Sequence, residues 1–271
     1  MNRTPYQRSI EAMNTRFDVF LRGSKADYDE QHLEAVAVAV LEEIARLDGV
    51  LSRFDPRSEI ARVNRQAAKQ FVRVDRELFA LLETCEQARQ LTDGYFDVTR
   101  GGGWELDAAS CSVRLATESQ IDLGGIGKGF ALDRGREILW RFNVESGLLQ
   151  GGTSSVLAVG QEVWPIDLRH PLTPELVIGQ IELANCSLSC SAVRRSEQKT
   201  SDIVNPLTGE AIFGKACCFV LAADATTAEI YSTALLAMGL ERASKFLAML
   251  TDGEEQIGWF EDDFLWLKER R

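Results

Sequence analysis

The chain has 271 residues, with 30 Lys and Arg against 41 Asp and Glu, for a formal charge of −11, and only two histidines. The acidic balance argues against a nucleic-acid groove, which needs clustered Lys and Arg to neutralise phosphate. Two histidines exclude a three-His zinc site, and leave His32 and His170 as the sole candidates for imidazole-activated nucleophile chemistry.

The N-terminal MNRTPYQRSIEAMNTRF has no apolar core region and no small-residue cleavage site, so no secretory signal is expected. No apolar run is long enough to span a bilayer, and no membrane insertion is expected. Residues 16–23 alternate as a strand, and Leu33, Val36, Val40, Leu41, Ile44 and Leu47 repeat at helical spacing over 30–48. A second helix begins at Asp75 as N-cap, presents Leu78, Leu81, Leu82, Cys85, Ala88 and Leu91 on one face, and stops at Gly94. Residues 121–142 read as strand, glycine turn and helix. Strands are expected at 147–159, 163–168, 176–184, 187–194 and 216–223, and helices at 227–238 and 240–250. The chain closes on a hairpin over about 255–268, turning at Glu261-Asp262-Asp263. With no repeat and no Pro/Gly-rich linker, the pattern predicts one α+β domain over 1–271, its strands largely antiparallel and its faces covered by helices. The six cysteines form no CxxC and read as reduced thiols in a cytoplasmic protein. Gly101-Gly102-Gly103 reads as a flexible loop, and both histidines as non-catalytic: His32 on a helix surface and His170 in a loop.

The segment Ile121-Asp122-Leu123-Gly124-Gly125-Ile126-Gly127-Lys128-Gly129 is the most informative. Its glycines permit positive φ and close approach to a ligand, and the helix that follows presents N–H groups suited to an anion. It is neither a P-loop nor GxGxxG, and a phosphate site and a tight structural turn are both open readings. Gly151-Gly152 is equally consistent with a bulge or a ligand contact.

Taken in order, several segments resemble the ApbE family of bacterial FAD:protein FMN transferases. They are Met13-Asn14-Thr15; Leu51-Ser52-Arg53-Phe54 with Ser58-Glu59-Ile60 and Asn64; Gly94-Tyr95-Phe96-Asp97-Val98-Thr99; DLGGIGKGFALDR at 122–134; Gly151-Gly152; Asn205-Pro206-Leu207-Thr208-Gly209; and Ser232-Thr233-Ala234-Leu235-Leu236 with Met238-Gly239. The resemblance runs from residue 13 to about 240. It implies the T-fold-like ApbE fold and Mg²⁺-dependent transfer of FMN from FAD to a Ser or Thr hydroxyl of an acceptor protein, releasing AMP. By the same match, Gly125, Glu229 and Thr233 would hold the Mg²⁺. Met13, Phe54, Tyr95, Phe96, Asp97, Asp122, Lys128 and Ile203 would line the FAD site.

Four positions depart from the family pattern: Thr153 follows Gly152 where the family usually has aspartate, Asn14 replaces glycine in the early Met-Gly-Thr, and two fall at the chemistry. Asp202 stands where the family has a histidine thought to serve the attacking hydroxyl, and an ordinary carboxylate is a weak base near neutrality. Glu229 stands where the family has a metal-binding aspartate. It keeps the i, i+4 spacing to Thr233, yet Thr226-Thr227-Ala228-Glu229 also reads as a capping box. Three readings compete: an active transferase, with Asp202 in the catalytic position; a flavin-binding carrier or regulator without transfer; and an α+β domain whose acidic surface binds a basic partner.

Overall fold

The computed structural model describes residues 4–23, 30–170, 173, 175–193, 203–214, 216–249, 255–261 and 264–268. Eight strands form one antiparallel sheet. In spatial order they are β1 (Tyr6–Ala12), β2 (Thr15–Arg22), β6 (Ser146–Gly151), β7 (Ser155–Val159), β10 (Ser187–Ala192), β11 (Cys217–Ala222), β12 (Gln256–Phe260) and β13 (Phe264–Lys268). A small sheet joins β3 (Val72–Arg73), β5 (Ser112–Leu115) and β4 (Trp104–Asp107), and β8 (Trp164–Arg169) pairs with β9 (Val177–Leu183).

The helices are α1 (Glu30–Leu51), α2 (Glu59–Gln66), α3 (Arg76–Leu91), α4 (Gly127–Arg141), α5 (Ala225–Met238) and α6 (Leu240–Met249). Helices α1, α4 and α5 cover one face of the large sheet, and the β8–β9 ribbon covers the other. Strand β7 shows why both covers are needed. Leu157 and Val159 enter the helix-side core, Val156 and Ala158 enter the ribbon-side core, and every residue is buried. Strand β11 divides likewise, with Cys218, Val220 and Ala222 towards α5 and Cys217, Phe219 and Leu221 towards the ribbon side. Doubly covered strands are apolar throughout rather than alternating.

The α+β expectation is met, and Asp75 caps α3 by accepting from Leu78 N–H at 2.7 Å. Four local expectations are corrected. Ile121–Leu123 is not a strand, because its backbone is held by a side chain and a loop carbonyl, as described below. Residues 147–159 form two strands that reverse at Gly152, whose φ is +63°. Gly101 and Gly102 of the glycine triplet are packed closely, though Gly103 is not: a Cβ at Gly101 would stand 2.4 Å from the Pro206 carbonyl oxygen, and one at Gly102 2.4 Å from Ser119 Oγ. His32 is half-buried on α1 rather than a surface residue. All six cysteines are free thiols, and among the described residues no helix is long and apolar enough to cross a membrane.

Candidate functional site

The glycine turn is fixed from outside itself. Asn64 on α2 accepts from Ile121 N–H at 2.8 Å and donates to the Ile121 carbonyl at 2.9 Å, while Asp122 N–H donates to the Val98 carbonyl at 2.8 Å. Asp122 Oδ1 then accepts from Gly124 N–H at 3.0 Å, folding the chain back on itself. The Leu123 carbonyl takes Ile126 and Gly127 N–H groups at 3.1 and 2.8 Å, and α4 begins. Two glycines bring this turn and helix against α5. A Cβ at Gly125 would sit 3.6 Å from Thr233 Oγ1, so residue 125 lies directly beside that hydroxyl. A Cβ at Gly129 would sit 2.4 Å from the Ala225 carbonyl oxygen, so only glycine allows this crossing.

Helix α5 is capped by Asp224, whose side chain accepts from Thr227 N–H at 2.7 Å. This overturns the capping-box alternative, since Glu229 lies a turn inside the helix and turns into the protein. A second carboxylate, Asp133 on α4, accepts from Ala225 N–H at 3.0 Å and from Thr226 N–H and Oγ–H at 2.8 and 2.6 Å. Its burial pushes its carboxyl above the usual range, with these donors opposing.

Glu229 is only 3% exposed. Its Oε1 accepts from Ser155 Oγ at 2.5 Å and meets Lys128 Nζ at 2.9 Å. Its Oε2 is buried with no hydrogen-bond partner among the described residues. Thr233, one turn along, lies 3.3 Å from Ser191 Oγ, which lies 2.9 Å from Ser232 Oγ. The floor of the site is therefore rich in oxygen: one carboxylate, several hydroxyls and the backbone at Gly125. Among the described residues no three His, Cys, Asp or Glu side chains cluster as a metal site, so a cation here would rely largely on neutral oxygens.

A cleft of about 350 Å³ opens above this floor. Phe54, Tyr95, Phe96, Asp97, Asp122, Gly125, Lys128, Ile203, Glu229 and Thr233 all line it, so the structure brings ten of the twelve predicted site residues together. Phe54 is 68% exposed and carries the Arg53 guanidinium 4.2 Å from its ring centre. Tyr95 is buried, its hydroxyl accepting from Arg242. Asp97 Oδ1 accepts from Thr99 N–H and Oγ–H, both at 2.7 Å, and Oδ2 from Gly101 N–H at 3.0 Å, so this carboxylate shapes its loop. Asp122 Oδ2 meets Arg100 Nη2 at 2.5 Å and Arg53 Nε at 3.2 Å.

Two predicted residues do not join the described cleft lining. Met13 sits in the β1–β2 turn with φ +50° and packs towards Gly127, its Sδ 4.0 Å from where a Cβ there would stand. Asp202 lies outside the described residues. Neither histidine lines the cleft. Sequence reasoning missed Arg53, Arg100, Ser155 and Asp133. A polar Ser155 at the head of an apolar strand was the one available signal, since the others depend on contacts distant in the chain.

Comparison with known proteins bears on this geometry. A model of the ApbE family matches residues 13–110 and 103–257. A FAD:protein FMN transferase of Klebsiella pneumoniae (strain 342) is 26% identical over 259 residues, covering 82% of the chain and 81% of that protein. The ApbE protein of Thermotoga maritima MSB8 superposes with a TM-score of 0.82 at 24% identity, covering 93% of this chain and 94% of that one. The flavin transferase ApbE of Vibrio cholerae gives 0.79 at 20% identity, covering 97% and 96%.

Proposed function

Because the chain belongs to the ApbE family, we propose that it is a FAD:protein FMN transferase, moving FMN from FAD to a Ser or Thr hydroxyl of an acceptor protein with release of AMP. The observation that carries this reading is the buried Glu229 Oε2, without a hydrogen-bond partner among the described residues, one helical turn from Thr233, which itself lies beside Gly125, in a cleft lined by Lys128 and exposed Phe54. Such an oxygen lining suits a hard divalent cation.

The charges of the cleft support the same fit. Its described lining carries three cations, Arg53, Arg100 and Lys128, and three carboxylates, Asp97, Asp122 and Glu229. A lining already balanced cannot neutralise a pyrophosphate unaided. In this reading Glu229, the Thr233 hydroxyl and the Gly125 carbonyl would hold Mg²⁺. When bound, the ion neutralises charge on phosphoryl oxygens.

The chain's own residues do the rest. The Phe54 ring offers an exposed aromatic face for stacking. Tyr95, Phe96, Asp97, Asp122 and Ile203 shape the FAD cleft, with Met13 supporting the turn behind α4. Lys128, released from Glu229, can pair with a phosphate oxygen. Asp202 would accept the proton of the attacking hydroxyl, a role that needs a carboxyl raised above its ordinary value. We place this one-domain enzyme and its acceptor in the cytoplasm, a reading that the free thiols support.

The test is incubation with FAD, Mg²⁺ and a threonine-bearing acceptor protein, followed by AMP assay and intact-mass measurement of the acceptor. AMP together with an acceptor heavier by one FMN residue is expected. FAD binding with neither product would instead support a non-catalytic flavin-binding protein, and no FAD binding would overturn both.

A further inference from the structure

Arg100 has φ +53°, in the left-handed region that disfavours a long side chain, although the three residues after it are glycines. Strain of this kind persists only where the surrounding structure over-determines it, and it clusters at functional sites. The Arg100 side chain reaches into the cleft to Asp122 at 2.5 Å, and Arg53 meets the same carboxylate oxygen at 3.2 Å. The two guanidiniums are 44% and 34% exposed, so an ion pair of this type adds little to stability and does not explain the strained backbone. Two positive charges share one carboxylate whose other oxygen is committed to Gly124 N–H. Within this trio one positive charge is left over, because Asp97, the third carboxylate of the lining, is held by Thr99 and Gly101 rather than by either arginine. On the floor, by contrast, Lys128 is balanced by Glu229.

We propose that Arg100 and Arg53 form an anion subsite that receives the phosphate of the departing nucleotide; the proposal rests on the transferase reading above. In that reaction the acceptor hydroxyl oxygen bonds to the FMN phosphorus and its proton passes to a base. The bond from that phosphorus to the bridging oxygen breaks, and its electron pair stays on the AMP phosphate. The new negative charge therefore grows on the nucleotide side. The two arginines flank Asp122, which is three residues from Gly125 and so at most about 11 Å from it along the chain. All three line the same cleft as the Glu229–Thr233 floor, and so give a substrate held there a second cationic pole. Guanidinium suits the task because its planar fork matches phosphate oxygens and stays charged at any working pH.

The experiment compares AMP with adenosine by calorimetric titration in the presence of Mg²⁺, using the wild-type chain, Arg53→Gln, Arg100→Gln and Arg100→Gly. The wild type should bind AMP more tightly than adenosine. Each variant should lose at least about tenfold in AMP affinity, while adenosine changes by less than about twofold. Arg100→Gly is the sharpest arm, because glycine relieves the positive φ: its melting temperature should equal or exceed that of wild type while AMP discrimination is lost. Equal losses for AMP and adenosine, unchanged AMP affinity in the variants, or no wild-type preference for AMP would each overturn the subsite. A parallel FAD titration separates the two readings: FAD binding without AMP preference removes the subsite alone, and no FAD binding removes the transferase reading with it.

Discussion

Glu229 holds a nearly inaccessible carboxylate that an aspartate at the same position would present one methylene less far. The extra reach lets it meet Ser155 on β7 and Lys128 on α4 at the same oxygen, while the second oxygen has no hydrogen-bond partner among the described residues. Lys128 is thus the internal counter-ion of a buried charge. Removing one partner of such a pair is costly, because the other charge stays desolvated. Lys128→Gln should destabilise the protein by about 1–3 kcal/mol, and Glu229→Gln by less, since the freed, partly exposed lysine can solvate itself. Chemical denaturation would check the order, and additive losses in the double variant would show that the pair is not coupled. Mn²⁺ titration followed by electron paramagnetic resonance should show tighter binding in Lys128→Gln and none in Glu229→Gln. The sequence made Glu229 a candidate through its spacing to Thr233, but not its contact with Lys128, because the two lie about a hundred residues apart.

Helices α4 and α5 act as one unit. Gly129 lets them cross at backbone contact, and Asp133 binds the first N–H groups of α5 from across that crossing. Orphan N–H groups at a helix start need such acceptors. Asp133 therefore sets the height of Glu229 and Thr233 relative to Lys128. Asp133→Ala should cost about 2–3 kcal/mol and weaken divalent-cation binding, with Asp133→Asn recovering part of both. Urea unfolding and the same Mn²⁺ titration measure the two effects. If stability falls while cation affinity holds, Asp133 braces the fold without positioning the site. Local motif reading erred here in an instructive way. Thr226–Glu229 has the letters of a capping box, yet Asp224 supplies the local cap and a carboxylate from a different helix supplies the rest. Strand β1 escaped the sequence reading for a similar reason: it is an edge strand, mostly exposed, and lacks the alternation that marks a half-buried strand.

Across the whole molecule, the large sheet gathers strands from both ends of the chain, with β1 at one edge and β13 at the other. The last two strands protect an interior one, because β11 is buried along its entire length and pairs with β12. Deleting residues 255–271 would leave the apolar Cys217–Ala222 segment as an open edge, and such edges promote association. The truncated chain should shift to high-molecular-weight species in size-exclusion chromatography with light scattering, where the full chain does not. A truncated chain that stays dispersed and folded would show that β12 and β13 are dispensable.

The helix periodicities, the Asp75 cap and the strand and turn pattern were properties of the chain itself and determined the α+β class, while the ordered motifs from Met13 to Gly239 carried the family resemblance. They sufficed because periodicity and turn chemistry act over a few residues. Tertiary structure alone decided that Glu229 faces inward, that Lys128 and Ser155 meet it, that Asp133 ties α5 to α4, and that Arg53 and Arg100 converge on Asp122. Each of these contacts joins groups at least 22 residues apart in the chain. Their geometry follows from how the helices seat on the sheet, and no local pattern encodes that seating.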